Sequence, residues 1–416
     1  MAWWDHEELK SPKDRSARYI VNFPQGYTEK EIAEATKEYE QDKLDRAYRG
    51  RLNSISREIS ANKANIGDSM AKSIFASLLK GAGNEFASFA SEGIAAGDVT
   101  KFYDTGSYTF NAVLSGSIYG GLANNGITAF AGEKGTGKSF YALAVAKRFL
   151  EENPEAGVFY FETESAITTE SLENRGIDLS RFAVVPVGTV EEFRHQALKI
   201  IEGYDEAGQE VPPMLFILDS LGGLSTQKEI EDMSDGKNTR DMTRAQLIRG
   251  AFRVLTLKLG KVSVPMIVTN HIYEVVGSYV PTKKMGGGSG LDYASSTTIF
   301  LSTKKAKDEK TKKVTGAIIT AYVEKGRLTQ KDIKVETYLD YADGLDRYYG
   351  LLDLATSFGI VKKVPGKGSV FPDGTSASEE KIEKDPEKYF TKDILDAIDV
   401  ECQKHFKYGG HKKKSA

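Results

Sequence analysis

The chain has 416 residues, 40% hydrophobic and 28% charged, which suits a water-soluble protein of one large domain or two to three ordinary ones. Its net charge of -3 at pH 7 excludes a global positive field, so any polynucleotide contact must come from local patches. One cysteine, Cys402, excludes an internal disulfide and a cysteine zinc cluster.

A reducing cytoplasm is the setting expected from that cysteine usage. The start, MAWWDHEELK, lacks the basic-then-apolar layout of a signal peptide. No run of about 18 apolar residues offers a membrane span. Residues 1–64 read as a charged helical arm; YTEKEIAEATKEYEQDKLDRAYRGRL sets opposite charges close together, as on a solvated helix. Trp3 and Trp4 suit docking of that arm on a core, and they equally suit a loosely ordered arm. Met70, Ile74 and Leu78 follow at helical spacing. A glycine-rich stretch then leads to Tyr103-Asp104-Thr105-Gly106.

From about residue 107 short apolar runs alternate with helical patterns. ITAFA, GVFYFE, RFAVVPV, MLFILDS and PMIVTNH read as strands; FYALAVAKRFL, VEEFRHQALKIIEGY and MTRAQLIRGAFRVLTLKLG read as the helices between them. Repeated strand-helix-strand units predict an α/β fold with a mostly parallel central sheet, covered on both faces. After about residue 292 the pattern turns strand-rich, with TTIFLS, AIITAYVEK and IKVETYLDY, and the run KKAKDEKTKK reads as a solvated hairpin tip. Residues 363–380 read as a linker or long loop, followed by a helix, KDILDAIDVECQKHF, and a basic tail.

The stretch GEKGTGKS fits the pattern G-x-x-x-x-G-K-[ST] between a strand and a helix. Gly132, Glu133, Lys134, Gly135, Thr136, Gly137, Lys138 and Ser139 would wrap a polyphosphate, with Phe140 next in line. Glycines let backbone N–H groups turn inward, Lys138 supplies a point charge, and Ser139 offers a hydroxyl to a metal. The helix start adds its positive end. MLFILDS ends in Asp219, the carboxylate such a loop needs for its metal; hard oxygen ligands favour magnesium. Asp219 and Ser220 also suit a helix N-cap. GVFYFETES puts Glu162 and Glu164 just past a strand on one face, and the spacing does not choose between them as the group that activates water.

The ordered set GEKGTGKS, FYFETES, FILDSLGGL, VTNHIYE and MGGGSG resembles the RecA-type strand-exchange recombinases, and within them the UvsX-type phage branch. The likeness runs from about Tyr103 to Lys363 and implies a RecA-like core over 107–362, preceded by an oligomerisation segment over 65–106 and followed by a C-terminal region over 363–416. It implies ATP and magnesium as ligands. It implies that Glu164 is the catalytic carboxylate and that His271 senses the γ-phosphate. It also implies that Lys325 and Arg327 reach the ATP of the next subunit. Adenine contacts fall near Thr168 and Ser171; Ser171 departs from the family's aromatic residue.

Two long connections follow Asp219 and His271. The first spans 222–241 and is closed by Arg240 and Arg244. The second spans 272–292, where Lys283 and Lys284 suit phosphate, Met285 suits a wedge between bases, and Gly286, Gly287 and Gly288 leave N–H groups bare. By composition they equally describe mobile surface loops; the resemblance implies that they bind single-stranded DNA. It further implies a helical homo-oligomeric filament that pairs single-stranded with double-stranded DNA, aided by a single-strand-binding protein and a loading mediator. The rival readings are a RecA-like hexameric helicase and an ATP-binding recombination mediator.

Overall fold

In a computed structural model the chain divides into two units, Met1–Ala87 and Ser88–Ala416. The structure describes scattered positions between 28 and 84, and residues 87–409 apart from 95, 209–210, 238–241, 275–282, 308–313 and 342. In the first unit the described residues between 30 and 50 are helical and exposed, which agrees with their dense opposite charges. Trp3, Trp4, Met70 and Ile74 lie outside the described residues; Leu78 is helical and exposed.

The second unit begins with β1 (Phe102–Tyr103) and β2 (Leu122–Ala123), an antiparallel pair with α1 (Tyr108–Ser115) between them. Alternation follows: β3 (Ile127–Gly132), α2 (Lys138–Glu152), β4 (Gly157–Glu162), α3 (Thr169–Glu173), β5 (Phe182–Pro186), α4 (Val190–Glu206), β6 (Met214–Asp219), α5 (Gln227–Ser234), α6 (Arg244–Lys261) and β7 (Met266–Glu274). Then come β8 (Lys283–Met285), α7 (Ser289–Ala294), β9 (Thr297–Lys307), β10 (Val314–Gly326), β11 (Lys334–Asp340), β12 (Gly344–Leu345) and α8 (Leu351–Ser357). Among the described residues these strands make a ten-stranded sheet in the order β12-β11-β10-β9-β3-β7-β6-β4-β5, with β8 on β7. The strands from β9 to β5 in that order are parallel; β9 to β12 turn antiparallel.

Strand periodicity sends alternate side chains to two cores. Phe130 of β3 with Leu215 and Ile217 of β6 meets Tyr141, Val145 and Phe149 of α2. Ile127, Ala129 and Ala131 with Phe216 and Leu218 meet Phe193 of α4 and Phe252 and Leu255 of α6. Burial on both faces is why MLFIL is an unbroken apolar run and ITAFA is interrupted only by the buried Thr128. It also fixes β3 as a rigid floor for whatever follows Gly132.

The stretch read as a linker is structured instead. β13 (Lys362–Val364), β14 (Gly368–Val370) and β15 (Ser376–Ala377) form a small antiparallel sheet. Phe371, Ala377 and Ile382 pack with Ile394, Ile398 and Cys402 of the last helix, α9 (Lys392–Phe406), and with Tyr108 and Ala112 of α1. Burying these apolar groups outweighs the turn-forming tendency of the glycines and prolines around them. The mostly buried Asp399 accepts the Ile118 N–H at 2.9 Å and so ties the last helix to the start of the core. No helix among the described residues is long and apolar enough to cross a membrane.

Candidate functional site

The parallel strands β3, β7, β6 and β4 end along one edge of the sheet. Their register sets Gly132 opposite His271 and Glu162 opposite Asp219. Residues far apart in sequence therefore converge at the carboxyl ends of the strands, where ligands bind in open α/β sheets.

At this edge the chain turns through Gly135 and Gly137, with φ of +77° and +82°, a region that disfavours side chains. Gly137 caps α2, so the helix start faces the loop. The Lys138 ammonium is buried and donates to the carbonyls of Gly132 at 3.1 Å and Glu133 at 2.9 Å. Burial holds it below the usual lysine range, while Asp219 and Glu164 pull the other way. Thr136 braces the turn by donating to the Glu133 carbonyl at 2.9 Å. Lys134 is exposed and Ser139 is half-buried in the first helical turn. The Asp219 carboxylate is pinned by the hydroxyls of Tyr160 and Thr269. A carboxylate has capacity for more than two bonds, so this one can still hold a cation. The glycine turn, the helix start and the buried ammonium fit a polyphosphate; the Ser139 hydroxyl and the Asp219 carboxylate fit a hard ion such as magnesium.

Phe140, next after the loop, carries the Arg175 guanidinium 4.2 Å above its ring and has Tyr341 with ring centroid 6.0 Å away. These three line a hollow beside α2 together with Leu143, Ala144 and Gly344. The Arg175 Nε is buried without a partner among the described residues. Sequence reasoning missed Arg175 and Tyr341, because nothing in their spacing announces that the turns after α3 and β11 bring them to Phe140. The hydroxyls of Thr168 and Ser171 are engaged in the capping box of α3.

The structure separates the two glutamates. Glu162 is buried, and its carboxylate accepts the backbone N–H groups of Glu164 at 3.1 Å, Ser165 at 2.7 Å and Ala166 at 2.9 Å. It shapes the turn after β4. Glu164 lies in that turn and accepts the Ser220 hydroxyl at 3.0 Å. Thr163 closes the same corner: its hydroxyl accepts the Ser220 N–H at 2.9 Å. Alternation along β4 hid this difference, since the chain leaves strand geometry between the two residues.

His271 sits near Lys138, Glu164 and Asp219. Burial, reinforced by the Lys138 charge, moves its imidazole below the usual histidine range. Its carbonyl accepts the Gly286 N–H at 2.9 Å, and the Asn270 side chain donates to the Gly286 carbonyl at 2.9 Å. The second loop thus returns on β7 as β8, with Ile272 opposite Met285, Tyr273 opposite Lys284 and Glu274 opposite Lys283. Lys284 is exposed, and Lys283 is ion-paired with Glu133 at 2.8 Å. Met285 does not present its side chain as a wedge. It is buried among the α6-side core residues, because the pairing with β7 turns it inward. Gly286, Gly287 and Gly288 carry the chain from β8 into α7, the last two with positive φ. In the first loop Arg244 donates to the carbonyls of Leu224 at 2.9 Å and of Leu221 and Gly222 at 3.3 Å, holding the turn after Asp219. Arg240 lies outside the described residues.

Lys325 and Arg327 stand at the other end of the sheet. β10 places Gly326 opposite Thr297, which is opposite Thr128, whereas the phosphate loop leaves from Gly132. Four residue steps along β3, about 13 Å, separate the two edges. Lys325 donates to the carbonyls of Asp292 and Tyr293, and burial lowers its pKa; Arg327 is exposed.

Comparison with known proteins gives a family and relatives. The family model described as RecA N-terminal domain matches residues 91–346, more than half of the chain. The recombination and repair protein of Enterobacteria phage T4 is 32% identical over 253 residues, covering 61% of this chain and 63% of that protein. Protein RecA of Chlorobium chlorochromatii is 27% identical over 284 residues, covering 68% and 75%. Protein RecA of Paracoccus denitrificans is 28% identical over 264 residues, covering 62% and 69%.

Proposed function

We propose that this chain, which belongs to the RecA family, is a DNA-dependent ATPase that assembles on single-stranded DNA and exchanges strands with a homologous duplex in recombination, repair and replication tied to recombination. The family match, the phosphate loop and the likeness to a recombination and repair protein support this reading. One observation carries it furthest. His271 is the register partner of Gly132 and also bonds, through its carbonyl, the Gly286 that closes the second loop.

In this reading the ATP phosphates lie in the loop from Gly132 to Ser139 and on the start of α2, and Lys138 leaves two carbonyls to meet them. Magnesium, held by Ser139 and Asp219, would neutralise developing charge on the phosphates. Glu164 takes the proton of the attacking water, and Ser220 orients its carboxylate. His271 donates one hydrogen bond to the γ-phosphate. Loss of that bond is felt at Gly286, so DNA affinity follows nucleotide state, a reciprocal coupling. Phe140, Tyr341 and Arg175 offer stacking faces for the base in place of the absent aromatic at Ser171.

DNA lies against the two loops. Lys284 and Arg240 meet the backbone, Arg244 holds the first loop in shape, and base pairing supplies the sequence match. Lys325 and Arg327 lie at the far end of the sheet from their own phosphate loop and serve that of a neighbour. A head-to-tail contact of that kind does not close and gives a helical filament. The expected setting is the host cytoplasm, with a single-strand-binding protein and a loading mediator as partners.

The test is His271→Ala, assayed for single-stranded DNA affinity with an ATP analogue and with ADP. The difference between the two nucleotides is expected to collapse; its full retention overturns the coupling. A closed ring by electron microscopy, with unwinding of forked duplex, would favour the helicase reading instead.

A further inference from the structure

Glu133 holds two lysines at once. Its main-chain carbonyl accepts the Lys138 ammonium at 2.9 Å, and its carboxylate is ion-paired with Lys283 at 2.8 Å. These are the lysine expected to meet the nucleotide and a lysine of the loop expected to meet DNA. Lys283 and Glu133 are 150 positions apart in sequence, so only the fold brings them together. The approach is fixed by backbone. β8 is laddered on β7, β7 on β3, and Glu133 follows β3 directly.

We propose that Glu133 is a positioning residue that stands in for phosphate on the DNA side and couples the two sites. This rests on the reading of the second loop as a DNA contact. Its carboxylate occupies the Lys283 ammonium, as a backbone phosphate of the polynucleotide would. DNA must therefore draw Lys283 away from Glu133 before that lysine contributes. A phosphate that takes Lys138 removes the bond holding the Glu133 main chain and adds negative charge to the loop. The first change loosens the hold of Glu133 on Lys283, and the second competes with Glu133 for the same ammonium. The pair titrates as such a contact requires: the hydrogen bond from Lys283 lowers the Glu133 carboxyl, and the same bond raises the Lys283 ammonium. Both side chains are exposed, so the pair is weak enough to be exchanged.

The experiment is a double-mutant cycle on single-stranded oligonucleotide binding, measured on the full chain without nucleotide and over a range of salt. Glu133→Gln is expected to tighten binding by about two- to fivefold, the size of an exposed ion pair. Lys283→Gln is expected to weaken binding and to lower the slope of log affinity against log salt by about 0.7. In the Lys283→Gln background, Glu133→Gln should have no further effect. With an ATP analogue the wild-type gain from Glu133→Gln should shrink. If Glu133→Gln tightens binding equally in both backgrounds, or not at all while Lys283→Gln weakens it, the coupling role is overturned and the DNA reading of the loop stands. If Lys283→Gln changes neither affinity nor slope, the DNA reading of Lys283 falls and the inference falls with it.

Discussion

The Ser220 hydroxyl donates to the Glu164 carboxylate at 3.0 Å, while two residues earlier Glu162 is bound by three backbone N–H groups. One carboxylate is aimed and the other is built in. Glu164→Gln is therefore expected to lower ATP turnover by about 10²–10⁴-fold with nucleotide affinity and stability retained. Glu162→Gln should instead lower stability by about 1.5–3 kcal/mol, because a charged acceptor shared by three backbone N–H groups is lost. Steady-state kinetics and denaturation of both variants check the assignment; an inverted pattern rejects it.

The positions of Lys325 and Lys138 at opposite ends of the sheet give a mixing prediction. Lys138→Ala and Lys325→Ala should each be inactive alone. In a random equal mixture about a quarter of heterologous interfaces pair an intact Lys138 with an intact Lys325, so turnover should return to about that fraction. ATPase titrations at several mixing ratios read this directly. Activity that never rises above the separate variants rules out a shared site.

His271 gives a pH prediction. Its folded pKa is lowered by burial and by the Lys138 charge. The unfolded chain thus takes up a proton near pH 6.5 while the folded one resists, and stability drops as pH falls through that region. A bound γ-phosphate favours the imidazolium. ATP affinity relative to ADP should accordingly rise as the pH falls. His271→Gln should flatten both dependences. Calorimetric titration across pH 5–8 and thermal melts across the same range are the measurements.

Met285 gives a stability prediction that distinguishes packing from base contact. Met285→Ala should cost about 2–5 kcal/mol, the range for truncating a buried side chain. Met285→Leu, which keeps volume, should retain both stability and DNA affinity. A DNA-binding loss in Met285→Leu with unchanged melting would restore the wedge.

The sequence made the parallel core legible because its strands are buried on both faces and its helices are long and periodic. The phosphate loop was legible because its glycines are fixed by backbone conformation. Other features were hidden for stated physical reasons. The small sheet over 362–377 is marked by glycines and prolines that also mark linkers, and its stability comes from distant partners such as Tyr108 and Cys402. Alternation could not tell Glu162 from Glu164, since the strand ends between them. The pairings of Arg175 with Phe140 and of Lys283 with Glu133 join separate elements, and no spacing encodes them.

The measurement that bears most directly on the central claim is ATP turnover per subunit against protein concentration, with and without an unpaired oligonucleotide. A site finished by a neighbour and linked to the DNA loops predicts turnover that climbs with concentration and climbs further with the oligonucleotide. Turnover that is flat in concentration and indifferent to the oligonucleotide would contradict it.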